Sequence, residues 1–159
     1  MRWEEIDTQA CSIARALVIF GDRWTLLIIR DAFMRVRRFS EFQKSLGITK
    51  HRLSDRLNRL VETGILSKEL YDQQRSRYHY RLTAKGLDLY PILMTVVQWG
   101  DKWTSDQDGS PVTFTHKSCG HTSSPKFVCD HCQQEIHAKE MLPSPGPGNR
   151  GKISRANPM

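Results

Sequence analysis

The segment from Ile48 to Leu82 arranges its residues in an order that few folds accommodate. Between Thr49 and Val61, the residues Leu53, Leu57, Leu60 and Val61 fall at i, i+4, i+7 and i+8 and form one apolar stripe on a helix. The opposite face carries Lys50, His51, Arg52, Arg56 and Arg59, cations suited to phosphates or guanine edges. Gly64 stops the helix, and residues 65–71 and 78–82 read as short strands around the polar, basic turn 72–77. A two-faced helix followed at once by a basic hairpin is the pattern of a winged helix-turn-helix. The predicted class is mainly α with a small β-wing (α+β).

Charge reinforces this expectation. The chain carries a formal net charge of +7, and between Val36 and Leu82 eleven basic residues face five acidic ones. A positive field concentrated in one unit suits a polyanionic partner or a merely solvated surface, and the helix-plus-wing context favours the partner. The longest apolar runs, 16–20 and 26–29, fall far short of the ~18 residues that span a bilayer, and no signal peptide is visible. Three of the four cysteines (Cys119, Cys129 and Cys132, but not Cys11) stand at metal-ligand spacing, which fits a reducing cytoplasm.

Around this centre, residues 10–20 look helical and end at Gly21, and Asp22 can cap a second helix through Phe33. Ser40 can cap a short helix over 41–45, and Gly47 lies where the helix-turn-helix needs its tight connection. Thr83 caps a long helix from Ala84 to about Trp103, which Pro91 kinks or restarts. Its apolar residues, Trp99 and Trp103 among them, exceed what one side of a small domain covers. The first and last helices are therefore expected to form a homodimer seam; packing within one chain is the competing possibility. The expected domains are 1–105, a DNA-binding and dimerisation domain; 106–111, a linker; 112–142, a small zinc-ribbon-like β module; and 143–159, a disordered Pro/Gly-rich basic tail. There are no internal repeats.

The motifs as a set resemble one family. Cys11, then Leu17, Gly21-Asp22-Arg23-Trp24-Thr25, Ile28 and Arg30, is similar to the opening of HxlR-type regulators, a branch related to the MarR group. Arg38-Phe39-Ser40-Glu41-Phe42, the Leu53–Gly64 pattern, Tyr80-x-Leu82-Thr83-x2-Gly86 and Trp99-Gly100 extend the likeness to about Trp103. The resemblance implies a homodimeric bacterial winged-helix repressor or activator that binds double-stranded DNA at a pseudo-palindromic promoter site. Many members carry prolines before a Glu-Tyr pair in the wing, whereas this chain has Arg75-Ser76-Arg77-Tyr78-His79-Tyr80.

For the DNA site, Thr49, Lys50, His51, Arg52 and Arg56 sit early on the recognition helix, where base edges are contacted. Arg52 and Arg56 are the leading candidates for guanine contacts or phosphate clamps, and Arg59 for the backbone. Arg75 and Arg77 at the wing tip are placed to enter or straddle the minor groove.

His116-x2-Cys119-Gly120-His121-x7-Cys129-x2-Cys132 forms a pair of knuckles that can converge on one tetrahedral, structural zinc ion. His116 is preferred as the fourth ligand for its matching two-residue gap, with His121 as the alternative. A metal-free hairpin or a Cys129–Cys132 disulfide competes with the zinc assignment. Cys11 stands near a helix start, where amides favour thiolate. Some members of the resembled family sense oxidants through a cysteine there; a small buried residue in the dimer seam is the plainer role.

Two further function classes compete with this reading. An RNA-binding or ribosome-associated zinc-ribbon protein would suit the basic tail and knuckles, but needs open stacking aromatics, and here Trp24, Phe39, Phe42, Tyr90, Trp99 and Trp103 fall on apolar stripes. Catalysis is not expected: no paired carboxylates, no nucleophile beside a base and no phosphate-binding glycine loop occur. A small-molecule effector between the dimer helices and the winged domain fits this architecture, though no residues mark its pocket.

Overall fold

Gly21 and Asp22 organise the start of the fold. The computed structural model describes residues 11–148; the first ten residues of the expected DNA-binding domain and positions 149–159 of the expected tail lie outside the described residues. Helix α1 (Ser12–Phe20) closes as the Gly21 N–H donates to the Leu17 carbonyl at 2.7 Å. Asp22 then caps α2 (Arg23–Phe33), accepting from the N–H groups of Trp24 (3.0 Å) and Thr25 (3.2 Å) and from the Thr25 hydroxyl. Burial pushes the Asp22 carboxyl up, but the Thr25 hydroxyl and amide, Arg56 and the Trp24 amide together outweigh it, so its pKa lies below the usual value.

That depression has a sign. A carboxylate with a lowered folded-state pKa stabilises above the unfolded value and loses this contribution as pH falls through the folded one. Asp22→Ala is expected to cost about 1–2 kcal/mol at neutral pH, mostly through the lost cap. Urea unfolding at neutral pH and again well inside the acid range checks this, since the gap between the two proteins should narrow in acid. An equal gap at both would refute it.

Helix α3 (Phe39–Leu46) begins two residues earlier than the expected 41–45, and Ser40 is not its cap. The Glu41 carboxylate reaches back instead and accepts from the Arg37 (3.1 Å) and Arg38 (2.9 Å) N–H groups. Those two amides hold the Glu41 carboxyl below its ordinary pKa. Gly47 ends α3 at φ +62°, the left-handed conformation glycine adopts freely, and Thr49 leads in extended backbone into α4 (Lys50–Glu62). Leu53, Leu57 and Leu60 are buried, as their spacing requires, and Val61 is half-buried.

Strands β1 (Leu66–Asp72) and β2 (Arg77–Leu82) pair antiparallel with Leu66 opposite Leu82, Lys68 opposite Tyr80 and Leu70 opposite Tyr78. Arg38 adds a bridge to His79, and the Tyr80 N–H donates to the Arg37 carbonyl at 2.8 Å. The chain entering α3 is thus stitched to the wing.

The long C-terminal helix is divided. Thr83 caps α5 (Ala84–Leu87) by accepting from the Gly86 N–H, and α6 (Tyr90–Thr104) restarts with Pro91 in its first turn, where a missing amide proton costs nothing. Of the two outcomes expected at Pro91, the restart is the one found.

Two compact units result, Met1–Leu93 and Met94–Met159. The first has its core in Ile28, Ile29, Phe42, Leu53, Leu57, Leu60, Ile65 and Leu66, with Phe42 edge-on to Tyr80 at 6.5 Å. The second holds the body of α6, which leaves Val96, Trp99 and Trp103 exposed, then two small hairpins and a 3-10 turn at Ala138–Glu140. No residue described from 111 to 148 is buried. Among the described residues no helix is long and apolar enough to cross a membrane.

Candidate nucleic-acid interface

The leading edge of α4 follows from how the chain enters it. Ile48 is buried and anchors the turn, while Thr49, Lys50, His51 and Arg52 are all exposed. Thr49 makes no side-chain cap, so the first amides of α4 have no such partner and add their partial positive charge to the cations beside them. His51 pairs with Asp55 through Nδ1 at 2.8 Å, which fixes the ring along the helix surface.

Arg56 and Arg59 are placed otherwise than their sequence positions suggest. Arg56 is half-buried, with its Nε 3.2 Å from Asp22 Oδ2. The approach is electrostatic without hydrogen-bond geometry, since Nε has no hydrogen-bond partner. Arg59 donates through Nη2 to the Val18 carbonyl near the end of α1. Arg56 stands at i+3 from Leu53 and i−4 from Leu60, on the flank of the buried stripe rather than opposite it. Both guanidinium groups therefore join α4 to the preceding elements, and neither is free as expected for a DNA contact.

The wing presents Arg75 and Arg77, both exposed. Asp72 Oδ1 accepts from the Arg75 N–H at 3.1 Å and Ser76 takes φ +48°, so a defined turn holds the tip. Around it lies cation–aromatic packing that sequence reading did not assign to the site. The Arg38 guanidinium sits 5.1 Å from the Tyr71 ring centroid, Tyr71 stacks on His79 at 4.2 Å, and Lys68 lies 4.0 Å from the Tyr78 ring centroid. Arg38, Ser40, Lys68, Tyr71, Ser76 and Arg77 line an open groove of about 450 Å³ beside the wing. Its charge and hydroxyls suit a phosphate backbone. The signal for Arg38 was its place in the Arg38-Phe39-Ser40-Glu41 motif, but its link to the wing, through the bridge to His79 and the packing on Tyr71, shows only in the fold.

The remaining candidates lie elsewhere. Cys11 is the N-cap residue of α1, half-buried and free. His116, Cys119, Cys129 and Cys132 lie in the two small hairpins of the second unit, His116 and Cys119 in one, Cys129 and Cys132 in the other. His121 closes the first hairpin through its carbonyl, which accepts from the His116 N–H at 2.9 Å. Among the described residues, no three histidine, cysteine or acidic side chains are gathered at one point.

A buried α2–α3–α4 core with a glycine turn between α3 and α4, a two-stranded wing and a cationic leading helix define a winged helix-turn-helix of the DNA-binding class. The chain belongs to the HxlR-like helix-turn-helix family, whose model matches residues 19–108. It is 42% identical over 143 residues to Rv3095, an uncharacterized HTH-type transcriptional regulator of Mycobacterium tuberculosis, covering 90% of each chain. The structure is similar to that of PA1607, a candidate transcription factor, with a TM-score of 0.77 and 35% identity over 87% of this chain and 96% of that one. It is also similar to the redox regulator HypR in its reduced form, with a TM-score of 0.54 and 28% identity over 58% of this chain and 92% of that one.

Proposed function

We infer that this protein binds double-stranded DNA as a homodimer at a pseudo-palindromic promoter site. The chain is a DNA-binding transcriptional regulator of the HxlR-like family. The observation that carries the proposal is the exposed run Thr49, Lys50, His51 and Arg52 at the start of α4, in the same compact unit as the exposed wing residues Arg75 and Arg77. One class of side chain reads base edges and the other grips phosphates. Arg38 and Lys68 join the phosphate-gripping set, and Arg56 and Arg59 serve the fold.

Dimerisation rests on apolar surface. Trp99 and Trp103 are 63% and 65% exposed on α6, and Ile13 is 71% exposed on α1. Indole rings left in water along a helix are a surface for a second copy, and a two-fold reader needs two recognition helices. Light scattering is expected to give twice the chain mass, and selection from genomic DNA should return sites with two inverted halves about one helical turn apart. A Trp99→Asp/Trp103→Asp protein should be monomeric and should lose these sites. A wild-type monomer, or enrichment of RNA over duplex DNA, would overturn the proposal. Repeating the selection after diamide treatment, with Cys11→Ser beside wild type, tests redox responsiveness through Cys11, which its capping position and the likeness to HypR support.

A further inference from the structure

The two hairpins of the second unit are copies of one another in backbone. Thr115 bridges Thr122, and Val128 bridges Glu135, at the same separation. One residue further on, the His116 N–H donates to the His121 carbonyl at 2.9 Å and the Cys129 N–H to the Gln134 carbonyl at 2.8 Å. The Gly120 N–H returns to the His116 carbonyl at 2.8 Å, and the Gln133 N–H to the Cys129 carbonyl at 2.9 Å. Gly120 and Gln133 both take the left-handed conformation, at φ +73° and +60°. A local repeat thus exists in the backbone that the residue types conceal. It pairs His116 with Cys129, Cys119 with Cys132, and Gly120 with Gln133. His121 corresponds to Gln134, which is no metal donor.

Each copy carries two soft or borderline donors in one tight turn. Cys119 Sγ lies 3.4 Å from His116 Nδ1. That separation matches the roughly 3.5 Å edge of a tetrahedron with sulfur and imidazole nitrogen at ordinary zinc distances. In the second copy Cys129 and Cys132 occupy the corresponding positions of the same turn, closed by the bonds from the Cys129 N–H to the Gln134 carbonyl and from the Gln133 N–H to the Cys129 carbonyl.

The same segment has no buried core among its described residues. Val112, Phe127, Val128, Met141 and Leu142 are all exposed, at 40–77%, and no residue described from 111 to 148 is buried. Its side-chain polar contacts include one within the segment, Lys126 with Glu135 at 2.6 Å, and one to α6, where Gln98 Nε2 donates to the Pro125 carbonyl. A stretch this short without a core needs a covalent or metal staple to keep one conformation.

We propose that His116, Cys119, Cys129 and Cys132 bind one structural zinc ion that joins the two hairpins, with His121 outside the donor set. Zinc draws together the His116–Cys119 pair, whose donor atoms already stand 3.4 Å apart, and the Cys129–Cys132 pair of the matching turn. Full occupation by protein groups leaves no open position, so the ion has a folding role.

The test uses the full chain purified in reducing buffer without chelator. Elemental analysis should give one zinc per chain, and cobalt exchange should give the intense near-ultraviolet thiolate band and visible bands of a tetrahedral centre. Cys129→Ser and His116→Ala should each lose most of the metal, whereas His121→Ala should retain it. Folded, zinc-free wild-type protein would overturn the proposal, as would a Cys129–Cys132 disulfide surviving in reducing buffer. Zinc retention in His116→Ala with loss in His121→Ala would overturn the donor assignment. Circular dichroism at α-helical wavelengths keeps a loss of metal distinct from global unfolding.

Discussion

Replacing Gly86 by alanine is expected to destabilise the protein by about 2–3 kcal/mol, against the direction of helix propensity. Alanine normally gains about 1 kcal/mol over glycine inside a helix, and Gly86 lies within α5 with an ordinary negative φ. Sterics decide the opposite way. A Cβ there would stand 2.3 Å from the Ile65 carbonyl oxygen and 2.9 Å from Leu82 Cδ2. The leucine methyl can move, but the carbonyl cannot readily do so, because it accepts from the Thr83 N–H at 3.1 Å. Thr83 is held in turn by its own hydroxyl, which donates to the Gly64 carbonyl at 2.6 Å and receives the Gly86 N–H at 3.1 Å. The added methyl thus presses on the joint where the wing strands meet α5. Gly47→Ala makes a useful comparison, since its site has open space and its cost of about 1–2 kcal/mol comes from the left-handed backbone alone. Urea midpoints of the two variants separate the causes, and a Gly86→Ala protein as stable as wild type would sink this account.

What could be read from residues alone, and what could not, follows the range of the interactions. The α4 stripe, the Gly47 turn, the Asp22 cap and the two wing strands each depend on neighbours a few positions away, and each was legible. The start of α3 is hidden from the sequence because Glu41 caps it from inside, a contact that competes with the usual serine cap. The inward turn of Arg59 was invisible for a different reason. Its partner, the Val18 carbonyl, is 41 positions earlier and carries no side-chain signature. Periodicity marked Arg56 as polar but did not reveal that Asp22 stood across from that flank. Similarly, the likeness of the two hairpins is a property of backbone conformation, for Gly120 and Gln133 share a φ sign but no chemistry.

Arg52→Ala and Arg56→Ala should separate reading from folding on a single helix. Both arginines begin as equal candidates for a guanine contact, but the structure gives them different surroundings. Arg52 is exposed on the first turn of α4, while Arg56 faces Asp22 at 3.2 Å with about a third of its side chain accessible. Arg52→Ala should weaken specific DNA binding by about 1–3 kcal/mol and relax discrimination at one base pair. Its unfolding midpoint should barely move, because exposed substitutions stay within about 0.5 kcal/mol. Arg56→Ala should instead lower stability by roughly 0.5–1 kcal/mol, a modest figure because water screens a pair of this exposure. Removing the wing charges together, Arg75→Ala with Arg77→Ala, should reduce the slope of log affinity against log salt by about 2 and weaken all sequences alike. Fluorescence anisotropy on selected and scrambled duplexes across a salt series, beside urea unfolding of each variant, measures all three effects. If Arg56→Ala abolishes discrimination while Arg52→Ala leaves binding untouched, the Asp22 pairing does not persist on DNA and the inner flank of α4 is the reading face.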